Sequence, residues 1–353
     1  MKLALIGYGN VGRALGRLIE SQRREFPFTI TGIHTLRHGT AADPHGLGSE
    51  PEFGPRAGSI EEFLDAAGAE VAVELTTLDP TSGEPAISHI RAAFARGMHV
   101  VTANKGPIAH AYADLRDVAA RAGLGFRFES AVMDGAPVFN LWRYAMPGVK
   151  VLGFAGALNS TSKVVVETME RGGSFEAGLA AARAMGITEA GGAFDVEGWD
   201  SAAKTAALAN VLLDARTTPQ RVSTRGIARL TPERVAAINR QGKTVRLISR
   251  ARRTSAGVSL RVRAEVLDRA DILAAPHGTS NILLFHTDLM GTFGTVSIDP
   301  GVEQTAYGVF SDLVSLVGHA LEELAKLSPR RRTRRGVDVR RGAKPSPKLC
   351  SWG

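Results

Sequence analysis

Lys2-Leu3-Ala4-Leu5-Ile6-Gly7-Tyr8-Gly9-Asn10-Val11-Gly12 opens the chain, and what these residues can form sets the fold. A short apolar run feeds directly into a G-x-G-x-x-G turn. Val11, Leu15, Leu18 and Ile19 then recur on one helical face. The order strand, glycine turn, helix fits a dinucleotide-binding unit. Gly7 permits the tight turn, Gly9 lets the backbone approach a pyrophosphate, and Gly12 allows the helix to pack closely on the strand. The amides at the helix start, around Asn10 and Val11, face the negative charge. Without its flanking strand and helix the glycine motif would say little.

Working outward, strand-like and helix-like segments alternate. Phe28–Ile33 reads as a second strand and Glu70–Leu75 as another, leading into Thr76-Thr77. A helix is predicted over about Pro85–Arg96. His99–Ala103 is a further strand that runs into Asn104-Lys105-Gly106-Pro107, and a helix over about Tyr112–Ala122 precedes the strand Gly125–Glu129. This alternation implies a parallel sheet and an α/β fold of Rossmann type, with the dinucleotide domain over residues 1–135. Ligands of such sheets sit beyond the carboxyl ends of the strands. Thr76, Thr77, Asn104 and Lys105 are therefore expected to point towards the cofactor. A lysine at a strand end is also common surface charge, so position alone does not give Lys105 a role.

The second strand ends at His34, where NAD-binding domains usually place an acid for the ribose hydroxyls; Arg37 and His38 follow. With no carboxylate there to repel a 2′-phosphate, Arg37 could pair with one. NADP(H) is the expected cofactor, with NAD(H) also accommodated; a solvated loop arginine is the plainer reading of Arg37.

Composition narrows the class. A chain of 353 residues, 44% apolar and 22% charged, can bury one or two ordinary cores. The net charge of +8 suggests nucleic acid until it is placed: from Arg330 to Gly353 there are nine Lys/Arg and one acid, Asp338, so the tail accounts for all of it. That tail is rich in Pro, Gly and Ser, and residues 329–353 are expected to be a disordered basic extension. No nucleic-acid partner is expected. The opening run is too short for a secretory signal, and no stretch approaches the roughly 18 apolar residues of a spanning helix. Cys350 is the one cysteine, which excludes an intrachain disulfide and fits a reducing, cytoplasmic setting.

After Gly135-Ala136-Pro137 the pattern loosens and a second domain begins, over residues 136–300. Its most informative segment is Gly186-Ile187-Thr188-Glu189-Ala190-Gly191-Gly192-Ala193-Phe194-Asp195-Val196-Glu197-Gly198-Trp199-Asp200-Ser201-Ala202-Ala203-Lys204. It is acidic, glycine-rich, and runs into a helix that places Asp200, Lys204, Leu208 and Val211 on one face. Either this is an exposed i, i+4 ion pair, or it is a buried pair in the first turn, where the helix dipole favours Asp200. A dehydrogenase needs the second. Oxidising an alcohol removes a hydroxyl proton as hydride leaves carbon, and a lysine can take that proton. An amino-acid substrate needs carboxylates for its ammonium, and Glu189, Asp195 and Asp200 supply them; Lys105 and Lys204 supply two cations.

These motifs together resemble homoserine dehydrogenase over roughly residues 1–325: GYGNVG at 7–12, TANKG at 102–106, ESAVMDGAP at 129–137, GALNSTS at 156–162, the acidic-to-lysine segment at 186–204 and QTAYGVFSDL at 304–313. The resemblance implies reduction of aspartate 4-semialdehyde to homoserine. It assigns Lys204 as proton donor, Lys105 as the lysine touching cofactor and substrate, and Glu189 as the acid holding the substrate ammonium beside Asp195 and Asp200. Ser160 and Thr161 would meet the substrate from a turn. A structural sodium ion would be held by the Glu129 side chain or by backbone oxygens of Val132, Asp134 and Ala136. The middle region would be an α+β substrate and dimerisation domain giving a homodimer, and a helix over 301–328, with Val309, Leu313, Leu316, Val317 and Leu324 on one face, would return to the dinucleotide domain.

Three departures stand out. Ile187 replaces a usual aromatic, Gly191-Gly192 replaces Asp-Pro, and Lys163-Val164 replaces a common Asn-Tyr pair. The chain after Leu327 is too short for a regulatory ACT domain, so threonine control through one is not expected. Two other readings share the frame: an oxidoreductase for a different amino-acid semialdehyde, and a catalytically silent NADP-binding protein.

Overall fold

Gly7 has φ 99°, and a Cβ on it would lie 2.7 Å from the Leu75 carbonyl oxygen. No other residue type fits there, so the chain turns from β1 (Lys2–Ile6) into α1 (Asn10–Gln22) over its glycines. The computed structural model describes residues 1–188 and 192–327, with side-chain surroundings as far as Val317. Glu189 and the tail 329–353 therefore lie outside the described residues.

Residues 1–317 form one compact unit built on two six-stranded sheets. The first contains β1, β2 (Thr29–Thr35), β3 (Gly39–Ala42), β4 (Val71–Glu74), β5 (His99–Thr102) and β6 (Phe126–Arg127), in the order β3-β2-β1-β4-β5-β6. All neighbours are parallel except β2 and β3, which form an antiparallel hairpin. The four residues of β3 carry too little apolar pattern to mark a strand in the sequence. Helices α2 (Ile60–Ala67), α3 (Ala86–Ala95) and α4 (Lys105–Arg121) fill the connections. α4 starts seven residues before the expected Tyr112. Asn104 caps it by accepting the Gly106 N–H, and Pro107 falls in the first turn, where its missing N–H costs nothing. Ala111, at φ −137°, breaks the helix into the two segments of which only the second was anticipated.

α5 (Ser130–Met133) leads to the second sheet: β7 (Val151–Ala157), β8 (Ser223–Arg225), β9 (Lys243–Thr254), β10 (Gly257–Asp268), β11 (Asn281–Thr287) and β12 (Thr292–Ser297), in the order β12-β11-β7-β9-β10-β8. It is antiparallel apart from the β10–β8 pair. Helices α6 (Ser160–Glu170), α7 (Phe175–Ala184), α8 (Ala193–Glu197), α9 (Trp199–Leu213) and α10 (Pro232–Asn239) accompany it, so this half is α+β. α9 is the central element. Ala202, Ala203, Ala206, Ala207 and Leu208 are fully buried, and the small side chains let α4, β9 and β10 approach.

Finally α11 (Val302–Leu327) returns to the first sheet, where Ala306, Val309, Phe310, Leu313 and Leu316 join Leu3, Leu5, Leu15 and Val73 in one cluster. Phe310 meets both Phe26 and Phe28 edge-on. Asp312 on α11 accepts the Glu129 backbone N–H at 2.7 Å and the Asn140 side-chain amide at 2.9 Å, which fastens the chain where the first half gives way to the second. Among the described residues no helix is long and apolar enough to cross a membrane.

Candidate active site

Asp200 lies in the first turn of α9 and is 4% exposed. Its two oxygens face two lysines: Lys105 Nζ is 3.2 Å from Oδ1 and Lys204 Nζ is 3.1 Å from Oδ2. The Lys105 contact is an ion pair without hydrogen-bond alignment, which leaves Oδ1 accepting capacity in hand. Burial by itself would raise the Asp200 carboxyl. The ammonium groups of Lys204 and Lys105, with the hydrogen bond from Asn159, override it and hold the group well below the usual carboxylate range. Lys204 also donates to the Leu158 carbonyl at 2.8 Å. An ammonium has three N–H groups; with two so directed, Lys204 keeps one to offer.

The exposed-pair reading of Asp200 and Lys204 thus fails, since both side chains are largely covered. They line a cavity of about 210 Å³ together with Asp134, Asn159, Ser160, Asp195 and others. Asn159 organises this wall. As the N-cap of α6 it accepts the Ser162 N–H, and its amide donates to Asp195 at 2.7 Å and Asp200 at 2.9 Å. The Asn-Ser-Thr-Ser run is a helix-start signal, but nothing in the sequence shows that the cap also joins two acids. Asp134, expected only as a backbone ligand, also lines this cavity, and its carboxylate accepts from the Thr305 hydroxyl. Burial raises its carboxyl, against the opposing pull of Lys204.

Ser160 lines the cavity and donates to the Thr279 carbonyl. Thr161, the next residue of that turn, is buried, and its hydroxyl donates to the Ile187 carbonyl, which ties the start of α6 to this segment. At the cofactor cleft, Glu74, fully buried at the end of β4, accepts hydrogen bonds from the Thr76 hydroxyl and N–H and from the Thr102 hydroxyl. Asn104 divides its side chain between Gly106 N–H and the Thr76 carbonyl. Thr76 and Asn104 therefore shape the cleft with their side chains turned inward, while Thr77 is exposed and Lys105 reaches Asp200. The signal for Glu74 was an acid closing an apolar strand.

The glycine turn keeps room for a pyrophosphate. A Cβ on Gly9 would meet nothing within 4 Å, and Gly12 packs tightly against Gly7 and Tyr8. Gly9 precedes the first turn of α1, which holds Asn10, Val11 and Gly12. Arg37 is exposed in the β2–β3 turn. His34 is half-buried and bonds Thr40, and its imidazolium is disfavoured by burial first, then by His89 and Arg56. Arg56, missed in the sequence, adds a second cation near this edge.

The sodium expectation fits less well. The Glu129 carboxylate accepts the backbone N–H groups of Val138, Phe139 and Asn140, so it serves as an anchor for that turn. Among the described residues no group of three or more His, Cys, Asp or Glu is placed to hold a metal. A cation here would depend on the main-chain oxygens of Val132, Asp134 and Ala136.

Comparison with known proteins agrees with this geometry. The family model described as homoserine dehydrogenase matches residues 137–314, and that of the homoserine dehydrogenase NAD-binding domain matches residues 7–129. The chain is 35% identical over 336 residues to an NAD(+)-dependent homoserine dehydrogenase of Pseudomonas canavaninivorans, covering 89% of this chain and 96% of the relative. It is 31% identical to a homoserine dehydrogenase of Methanocaldococcus jannaschii, covering 90% and 98%. The solved homoserine dehydrogenase of Thermoplasma acidophilum superposes with a TM-score of 0.80 at 26% identity, covering 90% of this chain and 99% of that one. With a glycine turn for a nicotinamide dinucleotide at one end of the cleft and two lysines on one buried aspartate at the other, the chain belongs to the homoserine dehydrogenase family.

Proposed function

We propose that the protein interconverts aspartate 4-semialdehyde and homoserine with a nicotinamide cofactor. The observation that carries this reading is the buried Lys105–Asp200–Lys204 cluster, which opens on a small cavity walled by further acids. When bound, the nicotinamide supplies or accepts the hydride. The protein handles the proton and the substrate's charges. Lys204 holds its remaining N–H towards the carbonyl oxygen that becomes the alcohol, and it takes the proton back in the reverse direction. Asp200 fixes Lys204 through one oxygen and offsets the charge of Lys105 through the other. Lys105, at the start of α4 beside the cofactor cleft, would steady the reacting oxygen from the second side.

Asp195, with Glu189, would receive the substrate ammonium, and the opening turn of α6 around Ser160 and Thr161 would face its carboxylate. Arg37 and Arg56 favour NADP(H), while the relative named as NAD(+)-dependent keeps NAD(H) in view. We assign the dinucleotide domain to 1–135 with the returning helix, and the substrate domain to 136–300. The second sheet would pair two copies in a cytoplasmic homodimer. No step requires a metal ion. Purified protein given NADPH and aspartate 4-semialdehyde should consume the reduced nicotinamide absorbance. Cofactor binding without consumption would overturn the reading in favour of a silent binding protein, and turnover of only other semialdehydes would favour a relative of different specificity.

A further inference from the structure

Lys163 is the most deeply buried lysine side chain that the proposed chemistry does not use, at 2% exposure on α6 one turn after Ser160. Its Nζ donates to Asn281 Oδ1 at 3.1 Å. Asn281 lines the substrate cavity, and its amide nitrogen donates to the Thr279 carbonyl, which also accepts from Ser160. A continuous chain thus runs from Lys163 through Asn281 and Thr279 to the turn that faces the substrate.

We propose that Lys163 is a positioning residue for the substrate carboxylate, acting by locking the amide of Asn281 with its oxygen turned away from the ligand. An ammonium has no lone pair, so only the oxygen of an amide can face it. The nitrogen must then point towards Thr279 and the cavity. One of its N–H groups is used by Thr279, and the other is left for a carboxylate. A neutral amine would accept as well as donate, so the flipped amide would no longer be opposed from this side and only the Thr279 carbonyl would resist it. The flipped one sets an oxygen against the substrate's negative charge.

The lock is therefore sensitive to pH. Burial pushes the Lys163 ammonium down to about 7, assisted by Lys204 on α9 and Arg246 on β9 and opposed by Glu167 on α6 and Asp200 on α9. Below neutrality the lock holds; above it the lock loosens.

This inference rests on the amino-acid reading of the site, and the experiment separates the two. The KM for homoserine is measured from pH 6 to 9 in the wild type, Lys163→Met, Lys163→Gln, Asn281→Ala and the Lys163→Met/Asn281→Ala double variant. In the wild type KM should rise about tenfold across neutrality, the loss expected when one hydrogen bond to a charged group disappears. Lys163→Met, which replaces a buried charge with an apolar chain of similar length and should fold, and Lys163→Gln, which can meet either end of the amide and leaves Thr279 alone to orient it, should both show the raised KM at every pH. Their losses should fall in KM rather than kcat, and the double variant should be no worse than Asn281→Ala. A retained wild-type profile in Lys163→Met, or losses that add in the double variant, would overturn the role of Lys163. Absence of homoserine turnover in the wild type would overturn the substrate reading itself, and this inference with it.

Discussion

Lys105 and Lys204 come from different halves of the chain and meet across one carboxylate, each about 3 Å from a different oxygen of Asp200. Neither lysine could be buried this far alone, because an unpaired charge out of water costs several kcal/mol. Each is held by Asp200, and Asp200 is held by both. Removing one member should therefore be felt by chemistry before binding. In Lys204→Ala, kcat should fall by roughly 10²–10⁴, the range usual for a lost general acid–base group, while NADPH affinity, measured by fluorescence titration, stays nearly unchanged. Equal losses in both would count against a proton-transfer role.

Glu74 controls the other end of the cleft without facing it. Its carboxylate gathers Thr76 and Thr102, and Thr102 in turn accepts the Asn104 N–H that starts α4. Alanine at position 74 would leave these buried donors unpaired, at roughly 1–3 kcal/mol. A lower Tm and a several-fold higher KM for the cofactor are expected. An unchanged cofactor KM would show that the strand end keeps its shape unaided.

Arg37 is expected to act on the cofactor phosphate alone. Arg37→Ala should weaken NADPH about tenfold, as for a charge-assisted hydrogen bond, and leave NADH almost untouched. Equal KM changes for the two cofactors would reject the pairing. A residual preference for NADPH would point to Arg56.

The parts that were legible carry local signals. Gly7 needs a positive φ, the apolar strands are short and continuous, and Asp200 and Lys204 share a helix face by spacing alone. What escaped depends on contacts between distant segments. Asn159 can be read as a helix cap, but its second task of bridging Asp195 and Asp200 exists only once α6 and α9 pack side by side. The same holds for Thr161, whose hydroxyl is diverted to Ile187 by a loop twenty-six positions away. Thr76 and Asn104 were placed at the correct strand ends, yet an unsuspected buried acid and a helix cap turned their side chains inward.

Asp312 tests the joint between the halves. It is fully buried, and burial raises its carboxyl despite the bonds from Glu129 N–H and Asn140. Asp312→Ala should destabilise by about 2–4 kcal/mol through two unpaired donors and a small cavity, read as a lower urea midpoint. Asp312→Asn keeps an oxygen for one donor and turns N–H towards the other, so its loss should lie between. Wild-type stability in the alanine variant would mean that the apolar face of α11 alone holds the helix in place.

Lys163 gives stability a pH signature separable from its effect on substrate. An unfolded lysine ionises near 10.5, whereas this one does so at about 7. Between these values the unfolded chain binds a proton that the native chain lacks, so the contribution of Lys163 to stability rises with pH across that window. Below about 7 both states carry the proton and the full cost of the buried charge remains. Methionine has nothing to titrate. Lys163→Met should therefore gain most over the wild type near pH 6, and the advantage should shrink between pH 7 and 10 by up to about 1.4 kcal/mol per unit. Urea denaturation of both proteins at pH 6, 8 and 9.5 measures the difference directly. Parallel stability curves would mean that the ammonium finds enough compensation from Asn281, Glu167 and Asp200 to remain charged throughout.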